Sequence, residues 1–521
     1  MKKFKIFALL ATLFVGVFSN LFTPVVSAED TSGSATVTIH KVKNYTNGTI
    51  TNTGSELTLS GVEFLDGITY DVYDVTAAYH TKYNEVYTST TAQDADNKAR
   101  EYVQGTAGHK PSVVSNADPV ATKVTANGGA ATFTLPKKSG GKDAVYVFVE
   151  QPKTGITAAE NNLVLSFPVY QLNGDGTYTD IELSTIHLYP KNTTEEITPV
   201  KDITNPNPDA AGRNNYNIGQ DIEFKLSTKI PANIGVKEVD GVTPHYNTFG
   251  LVDIHDTTLA FDKAGAHELK VAGTDIVLTE GETADYTIVV GEPEPAEGKA
   301  TFKVKLTQDG INKLAEQGGK TLEFTYTMKL NATAKIDEKN VNKVTVEYGR
   351  KTDDFNDVVE KPGNEKEVFT GGYRFIKTDV NSKKPLADAT FVVRDADATT
   401  AKFLNIDVDT KEISWVDSYD AATKFTTGAD GIVDIKGLTY GTYYLEETKA
   451  PTDYVKLSER IAFTVAFDSY KTTTTTPHNV ANTPKGFLPS TGGTGIILFV
   501  ALGAAMVGLA GVYFVSRRKA A

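Results

Sequence analysis

The sequence predicts an all-β protein made of tandem immunoglobulin-like β-sandwich domains, and three observations support that prediction. Short runs rich in Thr, Val, Tyr and Gly alternate between apolar and polar residues, as strands with one buried face do. Turn signals such as those at 173–176 and 428–431 separate the runs, and long amphipathic helical periods are scarce. The 521 residues include no cysteine, so disulfide bonds and thiolate metal sites are excluded.

The two ends of the chain predict export and membrane retention. Three lysines among the first five residues precede the apolar stretch 6–18, and small residues precede position 29. Residues 1–28 are therefore predicted to be a secretory signal peptide and are excluded from the fold. The apolar run 496–515 is long enough to cross a membrane as a helix, and a basic tail follows it.

Two proline-containing stretches, 189–208 and 353–372, divide the region between these ends. The length of that region suggests three domains of ordinary size. The predicted segments are a signal peptide (1–28), a first domain (29–194), a middle domain (195–368), a third domain (369–487) and a C-terminal signal (488–521).

An internal repeat relates the first and third domains. The segment 427–435 contains a turn and a strand, and an aromatic strand that ends in glutamate shortly before a proline follows at 443–451. The first domain has the same order of features at 125–133 and 145–152. The first and third domains are therefore predicted to be related sandwiches, and the middle domain is predicted to differ.

Strand parity places a lysine on the apolar side of the first strand in each domain. In the first domain Lys41 is in phase with Val37 and Ile39, and residues two apart on a strand share a face. The same test turns Lys201 and Lys377 inward. A buried unpaired charge is costly, so each of these lysines needs a chemical reason.

Carboxyl and amide side chains pass the same parity test. Glu447 and Asp253 are in phase with apolar neighbours, whereas the facing of Glu150 is ambiguous because the residues alternating with it are also apolar. On the predicted final strands, Asn192 and Asn482 are in phase with apolar residues.

Two interpretations of these inward groups remain open from the residues alone. The ordinary one is a snorkelling lysine or a buried ion pair. The other is an intramolecular isopeptide bond, in which burial deprotonates the lysine and keeps a carboxyl protonated. That carboxyl polarises an asparagine carbonyl, ammonia leaves, and an amide joins the first strand to the last.

Three motifs resemble those of a known family. The run 443–451 (YYLEETKAP) is similar to the E-box of Gram-positive pilins, although Asp453 departs from the glycine often found there. The run 189–191 (YPK) resembles their pilin motif, and LPSTGG at 488–493 resembles the LPxTG signal of sortase substrates. Over essentially its full length the chain is similar to backbone (major) pilins. The sorting-motif residues are Leu488, Pro489, Ser490, Thr491 and Gly492.

The resemblance implies Cna-B-type sandwiches for the first and third domains and a Cna-A-like sandwich for the middle one. It also implies an isopeptide-forming set of lysine, carboxyl and asparagine in each domain. The sets are Lys41, Glu150 and Asn192 in the first domain, Lys201, Asp253 and Asn331 (with Asn342 as the alternative) in the middle domain, and Lys377, Glu447 and Asn482 in the third.

The resemblance further implies that a sortase cleaves after Thr491 and transfers its acyl group to Lys191 of another copy. Parity turns Lys191 outward if Asn192 points inward, and Tyr189 and His187 are expected to share that outward face. Identical donor and acceptor surfaces on every copy predict an open fibre rather than a closed ring.

The implied partners are pilin-specific and housekeeping sortases, other copies of the chain, minor pilins and peptidoglycan, at the surface of a Gram-positive bacterium. The formal net charge of −13 argues against nucleic acid as a partner. No HExxH, GxSxG or phosphate-loop motif is present, so neither an enzyme, a metal nor a cofactor is expected. The alternative function is a wall-anchored monomeric adhesin or a minor pilin of the tip or base.

Overall fold

A computed structural model of the chain describes residues 33–45, 49–159, 161–173, 176–238, 240–486 and 494–518. The predicted signal peptide (1–28) and sorting motif (488–493) lie outside the described residues. The described chain is predominantly β-structure, as predicted. It divides into two compact units. One contains residues up to 368 without 215–219 and 335–338, and the other contains these two segments and the residues from 369 onward. The boundaries of the first, middle and third domains stay a prediction.

The first domain begins and ends with strands that lie side by side. Its strands are β1 (Ser34–His40), β2 (Val42–Lys43), β3 (Glu63–Phe64), β4 (Thr69–Asp74), β5 (Ala121–Val124), β6 (Ala130–Pro136), β7 (Lys138–Ser139), β8 (Lys142–Asp143), β9 (Val145–Glu150), β10 (Ile156–Ala159), β11 (Leu163–Ser166), β12 (Tyr170–Leu172), β13 (Tyr178–Glu182), β14 (Thr185–Leu188) and β15 (Lys191–Thr194). Strand β1 pairs in parallel with β14, and β2 pairs in parallel with β15. The chain therefore brings its first and last strands together in this domain.

Helices α1 (Thr76–Tyr87) and α2 (Ala92–Gln104) pack on the first domain and were not predicted. The side chain of Thr91 caps α2 by accepting a hydrogen bond from the Asp94 backbone N–H. Buried residues at 95, 99 and 103 give the helix an apolar face, and Ala99 and Val103 pack with Val145, Val147 and Val149 of β9. All six residues of β9 are consequently buried, since the sandwich core covers its other face.

The middle domain has two facing sheets. Its elements are β16 (Val200–Ile203), β17 (Asn214–Asn215), β18 (Asp221–Lys229), β19 (Thr248–Asp256), β20 (Leu259–Phe261), β21 (His267–Val271), β22 (Val277–Leu278), β23 (Tyr286–Val290), β24 (Lys299–Leu306), α3 (Gln308–Lys313), β25 (Thr321–Leu330), β26 (Asn340–Lys351) and β27 (Asn356–Phe369). One sheet has the order β16-β18-β25-β21-β22, and in the other β27, β26, β19, β24 and β23 follow one another. Strands β16 and β19 therefore belong to different layers.

The loop after β9 ties the first domain to the middle domain within one compact unit. Lys153 Nζ lies 2.7 Å from a carboxylate oxygen of Asp357, and the Thr154 backbone N–H donates to the other oxygen at 2.9 Å. This loop begins directly after Glu150, the carboxyl predicted to act in the first domain.

The third domain repeats the strand pairing of the first. Its elements are β28 (Gly371–Asp379), β29 (Thr390–Arg394), β30 (Phe403–Ile406), β31 (Ile413–Val416), β32 (Phe425–Thr426), β33 (Ile432–Leu438), β34 (Gly441–Lys449), β35 (Ile461–Val465), α4 (Ser469–Thr475) and β36 (His478–Asn482). Strand β28 lies between β33 and β36, and it pairs in parallel with β36, the last strand. The parallel pairing of first and last strands therefore supports the predicted repeat.

The chain closes with helix α5 (Thr494–Arg518), as predicted for the apolar run 496–515. Within the described residues, its segment Leu498–Arg518 is long and apolar enough to cross a membrane.

Candidate functional site

The first domain brings Lys41, Glu150 and Asn192 into one buried cluster. Lys41 follows β1, Glu150 ends β9, and Asn192 lies on β15; their exposed fractions are 0%, 5% and 2%. Lys41 Nζ donates to Glu150 Oε2 at 2.6 Å, and Asn192 Nδ2 donates to Glu150 Oε1. The Tyr70 hydroxyl also donates to Oε2, at 3.0 Å. One carboxyl therefore contacts both groups that an isopeptide bond would join.

The third domain brings Lys377, Glu447 and Asn482 together in a second buried cluster. Lys377 Nζ donates to Asn482 Oδ1 and lies 3.4 Å from Glu447 Oε1. Asn482 Nδ2 donates to Glu447 Oε1 at 2.9 Å, and the Leu457 backbone N–H donates to Oε2 at 2.7 Å. Burial lowers the pKa of Lys377, which favours the neutral amine.

The two clusters share a strand register. In the first domain Asn192 pairs with Lys43, two residues after Lys41. In the third domain Asn482 pairs with Asp379, two residues after Lys377. The parallel pairing of first and last strands thus places each asparagine at the same offset from its lysine.

In the middle domain the lysine reaches across from the opposite sheet. Lys201 on β16 donates to Asp253 Oδ2 at 2.6 Å, to Asn342 Oδ1, and to the Lys343 carbonyl oxygen at 3.0 Å. Asp253 lies on β19 and Asn342 on β26, which are neighbouring strands of one sheet. A Lys201–Asn342 bond would therefore join the two layers of this sandwich.

The structure does not bring Asn331 to Lys201 and Asp253; it places the alternative, Asn342, beside them. Asn331 directly follows Leu330, the last residue of β25, and lies in a turn. Its Nδ2 donates to the Thr257 carbonyl oxygen at 2.8 Å, and its Oδ1 accepts from Thr333. Strand β26 instead carries Asn342 into the interior, where its exposed fraction is 0%.

The electrostatics of the middle cluster depart from the expected protonated carboxyl. Burial lowers the pKa of Lys201 to about 8, although Asp253 opposes that shift. Burial alone would raise the pKa of Asp253, but the Lys201 charge and the hydrogen bond with His255 outweigh it and lower that pKa. The lowered pKa of Asp253 favours its carboxylate form beside Lys201.

Sequence reasoning missed the polar groups around the carboxyls. Tyr326 Oη donates to Asp253 Oδ2, and His255 Nδ1 lies 2.7 Å from Asp253 Oδ1. Parity could have found both, because Tyr326 alternates with buried Phe324 and Met328, and His255 is two residues after Asp253.

Lys191 lies at the start of β15, next to Asn192, and is only partly exposed. Its Nζ is 5.9 Å from the centre of the Tyr45 ring. The expectation that Tyr189 is exposed on the same face is wrong: its exposed fraction is 1%, and its ring stacks on His40 with a centroid distance of 4.7 Å. Tyr189 and Val42 form a small apolar cluster with Ile50, so the chain that follows β2 covers this face.

The predicted acyl donor lies outside the described residues. The donor is Thr491, and the other residues of the sorting motif, Leu488, Pro489, Ser490 and Gly492, also lie outside the described residues. Its expected role therefore stays a prediction from the motif.

Family models match three segments that together cover more than half of the chain. Residues 32–193 match the N-terminal D1 domain of Gram-positive pilin subunits, residues 371–479 match a prealbumin-like fold domain, and residues 482–521 match the LPXTG cell wall anchor motif. The chain is a Gram-positive pilin subunit. It belongs among the pilins that carry an LPXTG anchor, and it is a cell-wall-anchored surface protein.

Curated relatives agree with this family. The chain is 24% identical over 380 residues to a fimbrial subunit type 2 of Actinomyces naeslundii, covering 67% of this chain and 64% of the relative. It is 42% identical over 78 residues to the trypsin-resistant surface T6 protein of Streptococcus pyogenes, covering 15% of this chain and 13% of the relative. The chain thus spans less than two thirds of the length of these relatives.

A solved pilus protein shares the fold. The full-length RrgB pilus protein of Streptococcus pneumoniae superposes with a TM-score of 0.56 at 18% identity, covering 88% of this chain and 99% of that structure. The full-length major pilin SpaD of Corynebacterium diphtheriae gives a TM-score of 0.44 at 20% identity, covering 87% and 98%.

Proposed function

We propose that this pilin subunit forms the shaft of a covalently polymerised surface pilus. A pilin-specific sortase joins Thr491 of one copy to Lys191 of the next. Intramolecular isopeptide bonds link Lys41 to Asn192, Lys201 to Asn342 and Lys377 to Asn482. A housekeeping sortase transfers the last copy to peptidoglycan, and minor pilins complete the fibre.

One observation carries the proposal: each of three buried lysines contacts a carboxyl, and an asparagine amide belongs to the same buried cluster. In two domains the lysine Nζ donates directly to the asparagine carbonyl oxygen. A lone buried ion pair is an ordinary feature of proteins, and it requires no asparagine. The recurrence of the same three groups in every domain favours a shared reaction.

The chemistry needs no cofactor. The carboxyl takes a proton from the lysine, and the neutral amine attacks the side-chain carbonyl carbon of the asparagine. The carboxyl supplies that proton to the amide nitrogen, the C–N bond breaks, and ammonia leaves. The lysine nitrogen loses a second proton, which leaves with ammonia as ammonium, and the new amide keeps one hydrogen on nitrogen. Each site reacts once, so the chain is the substrate of its own maturation and has no turnover.

The position of Lys191 supports its role as the acceptor amine. It adjoins Asn192, so the first-domain bond would anchor the acceptor strand to β1 and β2. Lys191 is the first residue of β15 and is partly exposed, whereas Asn192 beside it is buried. The similarity of RrgB extends to the fold alone, and the shaft role rests on the YPK and LPSTGG motifs together with these clusters.

The intact mass of the secreted ectodomain tests the intramolecular part. The mass is expected to fall below the sequence mass by three ammonia molecules. Peptides linking residues 41 to 192, 201 to 342 and 377 to 482 should account for them. Lys41→Arg keeps a positive charge but removes the amine nucleophile. The mass deficit of this variant, relative to its own sequence mass, should fall from three ammonia molecules to two. An ectodomain of full sequence mass would overturn the proposal.

A further inference from the structure

The asparagine Nδ2 atom, which would leave as ammonia, has different hydrogen-bond partners in the middle domain from those in the other two domains. In the first and third domains Nδ2 of Asn192 or Asn482 donates directly to the glutamate carboxyl. In the middle domain the acid is Asp253, whose side chain is one methylene shorter. Among the described residues, its oxygens bond Lys201, Tyr326 and His255, and neither bonds the amide nitrogen of Asn342.

The Tyr326 hydroxyl connects Asp253 to the amide nitrogen of Asn342. It donates to Asp253 Oδ2, and it accepts a hydrogen bond from Asn342 Nδ2 at 3.2 Å. In the part of the chain that the structure describes, the other hydrogen-bond partner of Asn342 Nδ2 is the Met328 sulfur at 3.2 Å, and a thioether has no proton to give. Tyr326 is therefore the group placed to protonate this nitrogen.

We propose that Tyr326 is a catalytic residue of the middle-domain isopeptide bond, relaying a proton from Asp253 to the leaving nitrogen of Asn342. This inference rests on the proposed function of the cluster. In the first and third domains the glutamate makes that transfer itself, so no relay is needed there.

The proposed reaction transfers two protons from Lys201. Lys201 gives one proton to Asp253, and its neutral Nζ attacks Cγ of Asn342. Asp253 passes that proton to Tyr326 Oη as Tyr326 gives its own to Nδ2, and the Cγ–Nδ2 bond breaks to release ammonia. The second proton lost by Nζ returns to Asp253 and leaves with ammonia as ammonium.

The surroundings suit a relay that never forms a free phenolate. Burial, followed by the negative charge of Asp253, raises the pKa of Tyr326 well above its usual value. Aromatic rings enclose it: Phe224 and Phe302 have ring centroids 5.7 Å and 5.2 Å away. His255 holds the other oxygen of Asp253, which fixes the direction of the carboxyl.

Tyr326→Phe in the full ectodomain tests the relay, because it removes only the hydroxyl. General acid catalysis contributes about 100-fold or more to rate, so we expect at least that slowing of the Lys201–Asn342 bond. The measurement follows linked peptides by mass spectrometry after cell-free synthesis. The matched control is Tyr246→Phe, which removes a middle-domain hydroxyl that donates to Asn233 and should leave the Lys201–Asn342 bond at its normal rate.

A rescue separates catalysis from folding. Asp253→Glu in the Tyr326→Phe chain supplies a longer acid that can reach Nδ2, so the middle bond should form faster than in the single variant. Normal bonds in the other domains and a native circular dichroism spectrum would show that the chain folds.

Two results would overturn the relay. Formation of the middle bond at the wild-type rate in Tyr326→Phe defeats the relay and leaves the proposed function intact. Absence of the middle bond from the wild-type chain defeats the relay together with the middle-domain part of the proposed function. A slow single variant that the added glutamate fails to rescue would assign Tyr326 a packing role and also contradict the relay.

Discussion

Lys191→Ala is expected to abolish the high-mass ladder that wall extracts give on denaturing gels. The substitution removes the one amine proposed to attack the acyl group at Thr491, so polymerisation should stop completely. Export and anchoring should persist, because the sorting signal is unchanged and the housekeeping sortase can still transfer Thr491 to the wall. The chain should then appear as a wall-linked monomer.

The structure offers a close control for this experiment. Lys43 lies on β2, which pairs with β15, and its Nζ makes an ion pair with exposed Glu63 at 3.1 Å. Lys43→Ala therefore removes a neighbouring surface amine and should leave the ladder intact. The Lys191→Ala ectodomain should also retain the Lys41–Asn192 bond. A ladder that survives Lys191→Ala would require a different acceptor lysine.

Glu447→Gln is expected to prevent the third-domain bond and to destabilise that domain strongly. The substitution keeps the shape of the side chain but removes the group that takes the lysine proton. The bond would close a loop of 105 residues, for which the chain-entropy model gives a stabilisation of about 5 kcal/mol. The variant should therefore unfold at a lower temperature and gain the mass of one ammonia.

Glu446→Gln is the matched control, because the adjacent residue faces away from the cluster. Glu446 pairs with Arg394 at 3.0 Å and Arg460 at 2.9 Å, and its side chain is partly exposed. Its loss should cost little stability and leave the Lys377–Asn482 bond intact. Calorimetry and peptide mapping would measure both effects. Formation of the bond in Glu447→Gln would show that the carboxyl is dispensable.

Parity predicted most of the buried clusters because a strand with one buried face has a period of two. It assigned Lys41, Lys377, Asn192 and Asn482 to the interior, where the structure places them. It left Glu150 ambiguous because helices cover the second face of β9, so both alternating sets of residues are apolar. A strand whose residues are all apolar indicates that other elements pack on both of its faces.

Other features depend on tertiary packing that no local pattern reveals. Asn331 and Asn342 both lie near the ends of apolar strands, and only the turn after β25 distinguishes them. The burial of Tyr189 results from the segment that follows β2, which is distant in sequence.

Helix α2, in contrast, could have been predicted from the sequence. Thr91 is a capping residue, and residues 95, 99 and 103 form an apolar stripe at helical spacing.

Peptide mapping of purified fibres tests the central claim most directly. Digestion should release a branched peptide in which the carbonyl carbon of Thr491 is bonded to Nζ of Lys191, and this peptide should be present once per internal copy. Fibres in which Thr491 is bonded only to a peptidoglycan amine, with Lys191 unmodified, would contradict the account of this chain as a shaft subunit.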